Sequence, residues 1–261
     1  MTELTSFALR LAATARAETL PRWAAHGRAD NKAGQDGFDP VTEADVEAER
    51  AMRALIEAEH PDHGIVGEEF GTKPSGGSIS WSLDPVDGTR AFVCGLPSWT
   101  TLIALLDGGS PVLGIVDAPR MDELYLGDAD GSRLVTASGE ERLRCSDCAV
   151  LEEARFSTTD PYLFAGNERD AFERLRGAAR LTRYGLDAYA YARLAAGSLD
   201  LVVESGLKSW DYLAIIPVVR GAGGVVGNWR GEDEFSAGQL VAAATPALFE
   251  QTVHLTSGAA A

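Results

Sequence analysis

Between Trp81 and Arg90 the chain reads Trp-Ser-Leu-Asp-Pro-Val-Asp-Gly-Thr-Arg, which sets the carboxylates of Asp84 and Asp87 around a proline and follows them with Gly88 and Thr89. Proline holds φ at about −65° and pushes the residue before it into an extended conformation. Asp84 is therefore expected to end a strand, with Asp87 one tight turn later and both carboxylates facing one point. Gly88 lets the backbone approach a ligand closely. Thr89 stands where a helix should begin, with free N–H groups and a positive dipole end able to receive phosphate. Two hard oxygen ligands beside an anion cradle suit Mg²⁺, which takes an octahedral oxygen shell and shares it with substrate phosphates. Standing alone, the same residues also read as an ordinary Asp/Pro/Gly turn capping a helix.

Other acids stand in comparable places. Glu68 and Glu69 follow the short apolar run Ile65-Val66, Asp45 lies three residues after Thr42, and Asp211 follows Trp210 at the start of an apolar segment. Each has a plain alternative: a solvated strand end for Glu68-Glu69, a capping-box partner of Thr42 for Asp45, and a first-turn acid favoured by the helix dipole for Asp211.

Elements must bring these acids together. Leu4, Phe7, Ala8, Leu11 and Ala15 recur at helical spacing, and Gly27 to Asp39 reads as a loop. Thr42 is placed to cap a second helix through Ala48, Ala51, Met52, Leu55 and Ile56, ending near His60-Pro61. Ile65-Val66 and Trp81 to Leu83 read as short strands that each end in acid. Thr101 to Leu106 and Val112 to Val116 form an expected hairpin around Asp107-Gly108-Gly109-Ser110, and Glu123 to Gly127 a further strand. The first half is thus expected to be α+β. A polar stretch from Gly139 to Val150 marks the expected boundary between subdomains 1–140 and 141–261. Beyond it, helices over Asp187 to Ala196 and Trp210 to Arg220, strands over Leu199 to Glu204, Gly224 to Val226 and Leu240 to Ala244, and a last helix from Pro246 make an α/β half.

Composition narrows the functional classes. Lys plus Arg number 23 against 39 Asp plus Glu, a formal charge of −16, so a basic nucleic-acid-binding patch and attraction to anionic lipid are disfavoured. No run reaches the ~18 apolar residues of a membrane span, and the N-terminus lacks a leader pattern, which leads to the expectation of a cytoplasmic protein. Cys94, Cys145 and Cys148 are odd in number, and the single Cys-x-x-Cys has neither a second pair nor nearby histidines, so reduced thiols are expected. His26, His60, His63 and His254 lack metal spacing and are expected to be solvated. The glycine run Gly221 to Gly227 follows a helix and enters a strand, the reverse of a dinucleotide fingerprint. No Gly-x-Ser-x-Gly elbow is present.

Taken together, Pro40-Val41-Thr42-Glu43-Ala44-Asp45, Gly67-Glu68-Glu69, Asp84-Pro85-Val86-Asp87-Gly88-Thr89 and Trp210-Asp211, in this order, resemble the inositol monophosphatase-like, Mg²⁺-dependent phosphatases, from about residue 3 to about residue 255. The resemblance implies a layered αβαβα sandwich of two subdomains with the site at their junction. It implies that Glu68, Asp84 and the main-chain oxygen of Val86 hold one Mg²⁺, that Asp84, Asp87 and Asp211 hold a second with Asp84 bridging, and that Glu68 and Glu69 assist a third, weaker ion. Asp45 and Thr89 would orient and deprotonate the attacking water, with Glu68 also counted among the catalytic groups. The amides of Gly88 and Thr89 would hold the phosphate, with Asp87 and Asp211 beside it. A homodimer is implied as well. The family often carries a lysine before the first motif; Lys32 is the nearest candidate here, several residues upstream, and also reads as a loop lysine. An inactive relative of the same fold, serving as an acidic scaffold, would be expected to lose one of the metal carboxylates, and Glu68, Asp84, Asp87 and Asp211 are all present.

Within that family, Arg183 to Tyr191, Leu194 to Gly197, Asp200 to Glu204, Leu207 to Asp211, and Arg90-Ala91-Phe92 with Gly95-Leu96-Pro97 resemble the histidinol-phosphatase branch. The substrate implied is L-histidinol phosphate, whose amine and imidazole can be cationic and would suit acids at the pocket rim. Asp187 and Glu204 are the acids expected there, while Tyr189 and Tyr191 are expected in the core or wall. Inositol hydroxyls could also hydrogen-bond Glu204. Inositol-1-phosphate is the alternative substrate, followed by 3′-phosphoadenosine 5′-phosphate.

Overall fold

The computed structural model describes residues 2–24, 29–31 and 40–261. Lys32, His26 and most of the expected Gly27–Asp39 loop lie outside the described residues. The chain opens on α1 (Glu3–Ala24), continues through β1 (Ala29–Asn31) and β2 (Pro40–Thr42), and enters α2 (Glu43–Glu59). Next come β3 (Gly64–Gly67), β4 (Gly71–Lys73), β5 (Ile79–Asp87) and α3 (Thr89–Val93). A meander follows of β6 (Thr100–Asp107), β7 (Ser110–Ala118), β8 (Glu123–Asp128), β9 (Gly131–Thr136) and β10 (Gly139–Arg142). The rest of the chain forms β11 (Arg155–Thr158), α4 (Asn167–Ala178), β12 (Leu181–Tyr184), α5 (Tyr189–Ala195), β13 (Leu201–Glu204), α6 (Ser209–Tyr212), α7 (Ile215–Gly221), β14 (Val225–Gly227), β15 (Leu240–Ala243) and α8 (Pro246–Thr256).

Two sheets organise the molecule. The larger runs β10-β9-β8-β7-β6-β5-β3-β4 and the smaller β12-β11-β13-β15-β14. Strand side chains alternate between faces, so each strand feeds two different cores. Ile103, Ile115, Trp81 and Leu126 pack with Phe7 and Leu11 of α1 and Met52 and Ile56 of α2. Their neighbours Leu102, Ala104 and Val116 face Leu194 of α5 and Ile215, Val218 and Val219 of α7, and the same cluster takes in Val202, Leu240 and Ala242 of the second sheet. On the far face of that sheet, Leu201, Val203 and Val241 meet Phe172 and Leu175 of α4 and Leu248 of α8. The result is the αβαβα sandwich the sequence resemblance implies, with α5 and α7 as its middle layer.

Local differences have local causes. β5 does not stop at Asp84 but runs to Asp87 through a register shift against β6. Its pairing with β3 ends at Leu83, so Pro85 sits where no ladder bond is required on that side. The expected Trp210–Arg220 helix is two helices, α6 and α7. Restarting at Ile215 places Pro217 in the first turn, where an amide has no intrahelical partner to lose. α5 begins only at Tyr189 because Asp187 adopts the left-handed conformation (φ 48°), which cannot continue a right-handed helix. Ala29–Asn31, inside the expected loop, pairs antiparallel with Pro40–Thr42. His60 and His63, expected to be solvated, stack at 4.6 Å, and His63 Nδ1 accepts a hydrogen bond from Trp81 Nε1 (3.1 Å). Among the described residues no helix is long and apolar enough to cross a membrane.

Candidate active site

Four separate segments deliver the acids. On α2, Thr42 caps the helix, and Asp45 Oδ2 accepts from the Thr42 amide (2.9 Å) and hydroxyl, the capping box expected from their spacing. Asp45 is buried and its Oδ1 has no hydrogen-bond partner among the described residues. Glu68 and Glu69 lie in the short loop between β3 and β4. The end of β5 carries Asp84, Val86 and Asp87; Asp84 Oδ1 accepts from the Val86 amide (3.2 Å), and Thr101 Oγ1 donates to the Pro85 carbonyl (2.7 Å). Asp211, on α6, accepts the Lys208 amide at Oδ2 (2.7 Å).

Gly88 takes φ 80°, a conformation an L side chain resists, and so turns the chain from β5 into α3, whose first residue is Thr89. Thr89 Oγ1 donates to the Val86 carbonyl (3.0 Å). Asp87 Oδ2 accepts from Thr100 Oγ1 (3.1 Å) and from the Ala188 amide (2.7 Å). That last bond locks the end of β5 to the turn before α5.

The charges show which groups share one neighbourhood. Burial pushes the Asp84 carboxyl well above its ordinary range, and the nearby charges of Glu68, Asp87, Asp211 and Asp45 push it further. Asp87 is likewise raised well above its usual value, by burial and then by Asp187 and Asp211, against the hydrogen bonds from Ala188 and Thr100. Burial also raises Asp211 to about 7, with Glu68 and Asp187 adding to it and the Lys208 amide opposing. Asp45 rises to about 7 through burial, opposed by its Thr42 hydrogen bonds and reinforced by Glu69 and Glu68. Asp84 thus feels the charges of Glu68, Asp87, Asp211 and Asp45 together.

Asp87, Gly88, Thr89, Asp187, Glu204 and Asp211 line a cleft of about 380 Å³. Asp45, Glu68 and Asp84 are not in its lining, but Asp84 feels the like charges of Asp87 and Asp211, which are. Asp187 is raised to about 6 by burial, against the pull of Arg90. Glu204 is raised to about 8 by burial, although its Oε1 accepts the Thr159 amide (2.6 Å) and its Oε2 the Thr158 hydroxyl (3.0 Å). Tyr191, read from the sequence as core or wall, is both: it packs in the middle layer and lines the cleft, and its hydroxyl has no partner among the described residues. Arg90, Thr159 and Leu163 also line the cleft; of these only Arg90 is flagged by its place after the Gly-Thr turn.

Oxygen-only donors and mutually repelling buried carboxylates are the chemistry of a hard divalent cation site, and the partnerless Asp45 Oδ1 fits an acceptor aimed at such a centre. Among the described residues, no three His, Cys, Asp or Glu side chains are arranged to hold a metal ion as they stand.

A five-layer αβαβα sandwich with clustered buried carboxylates beside a Gly-Thr turn is the architecture of a phosphatase class. The chain belongs to the inositol monophosphatase family, whose family model matches residues 1–259. It is 44% identical over 200 residues to the chloroplastic bifunctional phosphatase IMPL2 of Arabidopsis thaliana, a match covering 76% of this chain and 57% of that protein. It is 34% identical over 212 residues to a histidinol-phosphatase of Chlorobaculum parvum, covering 80% of each. An inositol monophosphatase structure from Zymomonas mobilis superimposes with a TM-score of 0.84 at 38% identity, covering 97% of this chain and 96% of that one.

Proposed function

We propose that this protein is a Mg²⁺-dependent phosphomonoesterase that hydrolyses L-histidinol phosphate to L-histidinol and phosphate, acting as a cytoplasmic homodimer of chains built from subdomains 1–140 and 141–261. The observation that carries the substrate is the pair of acids, Asp187 and Glu204, lining the same cleft as Asp87, Gly88 and Thr89. The substrate's imidazole and amine supply positive charge that favours the ionised form of these two carboxyls, whose pKa burial has raised.

In this reading Glu68, Asp84 and the Val86 carbonyl would hold one Mg²⁺, Asp84, Asp87 and Asp211 would hold a second, and Glu68 and Glu69 would assist a third. Bound there, Mg²⁺ supplies Lewis-acid charge to the attacking and leaving oxygens of an in-line displacement. Thr89 and Asp45 orient the attacking water, and Asp45 accepts its proton. The amides of Gly88 and Thr89 face the phosphate and meet the charge that develops on it. The new P–O bond forms to the water oxygen as the bond to the alcohol oxygen breaks, that oxygen takes a proton from solvent water to leave as histidinol, and Asp45 returns its proton to solvent. No side-chain nucleophile is required.

The Chlorobaculum relative is a histidinol-phosphatase, while the Zymomonas structure is of an inositol monophosphatase. Inositol-1-phosphate is therefore the second reading, because Glu204 can accept hydrogen bonds from its hydroxyls. The discriminating measurement is kcat/KM with Mg²⁺ for histidinol phosphate, inositol-1-phosphate and 3′-phosphoadenosine 5′-phosphate. A preference for histidinol phosphate of ~10-fold or more, about 1.4 kcal/mol, is expected. A preference for inositol-1-phosphate overturns the substrate assignment and leaves the phosphatase chemistry in place.

A further inference from the structure

Glu49 is a carboxylate with no solvent exposure, one helical turn beyond Asp45 on α2. Its partner on the helix, Arg53, donates Nε to Glu49 Oε1 at 2.7 Å. An i,i+4 Glu–Arg pair ordinarily lies on a surface and contributes little. Here it does not. Glu49 Oε2 accepts the main-chain amide of Glu69 (2.7 Å), and Oε1 accepts the amide of Phe70 (3.2 Å). Arg53 Nη2 completes the grip by donating to the Gly71 carbonyl.

These main-chain groups belong to the loop joining β3 to β4. Gly67 pairs with Gly71, so Glu68, Glu69 and Phe70 make up the whole loop, and Gly71 takes φ 66°. β4 is three residues long and lies at the edge of the large sheet. The Glu68 amide donates to the Leu83 carbonyl (3.3 Å), and the Arg50 and Arg53 guanidiniums lie over the Phe70 ring. Charge-assisted bonds from a buried carboxylate to two successive amides are strong and directional, and they hold the loop from α2. Gly67 leaves the space: a Cβ there would run into the Glu49 carboxylate and lie 2.8 Å from Arg53 Nη2. α2 therefore carries Asp45 on its first turn and, on the next, the group that grips the loop bearing Glu68. The charges of Glu68 and Glu69 are felt at Asp45.

We propose that Glu49 is a positioning residue, which sets Glu68 against Asp45 by holding the Glu69 and Phe70 amides. Its consequence for turnover rests on the functional reading above, since Glu68 matters there as a cation ligand; its consequence for the loop does not. A buried ion pair with no such task would support the stability of α2 alone.

Two variants test this: Glu49→Gln, which keeps the shape and removes the charge, and Gly67→Ala, which leaves Glu49 in the chain and displaces its carboxylate. Each is measured for amide hydrogen exchange, Mg²⁺ binding by calorimetry, kcat and KM against Mg²⁺ concentration, and Tm. In both, exchange at the Glu69 and Phe70 amides is expected to quicken ~10-fold or more, well beyond that of α2 itself. Mg²⁺ affinity and the Mg²⁺ concentration for half-activation should weaken ~10–100-fold, the usual effect of losing a group that orients a ligand. KM for the phosphoester and kcat at saturating Mg²⁺ should stay within ~3-fold of wild type. A folded Glu49→Gln protein with wild-type exchange at both amides, or with wild-type Mg²⁺ affinity and a lower Tm, overturns the proposal. Should Glu49→Gln fail to fold, Gly67→Ala decides by the same readouts. A wild-type protein that neither binds Mg²⁺ nor cleaves a phosphoester refutes the functional reading instead, and the exchange rates still decide whether Glu49 holds the loop.

Discussion

The amide of Ala188 donates to Asp87 Oδ2 at 2.7 Å, joining the end of β5 to the turn before α5 across 101 positions of sequence. The same turn brings Asp187 against Gly88, where a Cβ would lie 3.0 Å from Asp187 Oδ2. The segment proposed to bind cations and the acid proposed to choose the alcohol are therefore fixed to each other through one peptide.

Asp187→Asn keeps a residue that tolerates the left-handed conformation and removes its charge. On the proposed reading, kcat/KM for histidinol phosphate falls ~10-fold or more, while that for inositol-1-phosphate changes by much less. Steady-state kinetics on the two substrates check this, and equal losses would remove Asp187 from substrate recognition.

Mg²⁺ should raise the Tm of the wild-type protein, because an ion that binds only the folded state at 100 times its Kd stabilises it by about 2.7 kcal/mol. Asp84→Asn, lacking the bridging charge, should show neither the Mg²⁺-dependent rise nor turnover, yet keep its circular dichroism. EDTA should abolish wild-type turnover reversibly. Near-normal activity in Asp84→Asn would refute the cation assignment.

Tyr191→Phe removes a buried hydroxyl that has no partner among the described residues. A buried polar group without a partner costs about 1–3 kcal/mol, so the variant should melt no lower than wild type. If the hydroxyl meets the substrate, kcat/KM drops ~10-fold at unchanged or higher Tm. A fall in Tm with unchanged kinetics would make Tyr191 a packing residue only.

Glu204 gives a pH-dependent contribution of definite sign. Its carboxyl ionises near 4.5 in the unfolded chain and at about 8 in the folded protein, where burial favours the neutral form. The folded state thus holds the proton more tightly, and the stability this contributes is complete below pH 4.5 and is lost as pH climbs towards 8. Glu204→Gln removes the titration, so its urea midpoint should gain on wild type steadily between pH 5 and pH 8. A gap that does not change with pH would mean that Glu204 is charged in the folded protein.

Features governed by neighbours along the chain were legible before folding. The Thr42–Asp45 cap and the Gly88 turn into a helix at Thr89 each depend on residues within a few positions. The β6–β7 hairpin likewise carries its glycine turn with it. Pro85 was misleading for a tertiary reason: a strand end is the usual consequence of a proline, but β3 withdraws at Leu83, and β5 continues beside β6 alone.

Residues whose chemistry depends on distant partners could not be read in that way. Glu49 and Arg53 have the spacing of a solvated helical pair, and nothing nearby in the chain announces the loop they grip. Tyr191 has the pattern of a core residue, which it is, and only the packing of α5 between the two sheets also places it in the lining of the cleft. The amino-acid order alone determined which oxygen donors, helix caps and glycine turns are available for the proposed cation and phosphate sites, because side-chain chemistry and turn geometry are local properties. The distances between those side chains, and hence which of them repel, pair or hold one another, were decided by the stacking of five layers, because the burial that shifts a carboxylate exists only once the layers close.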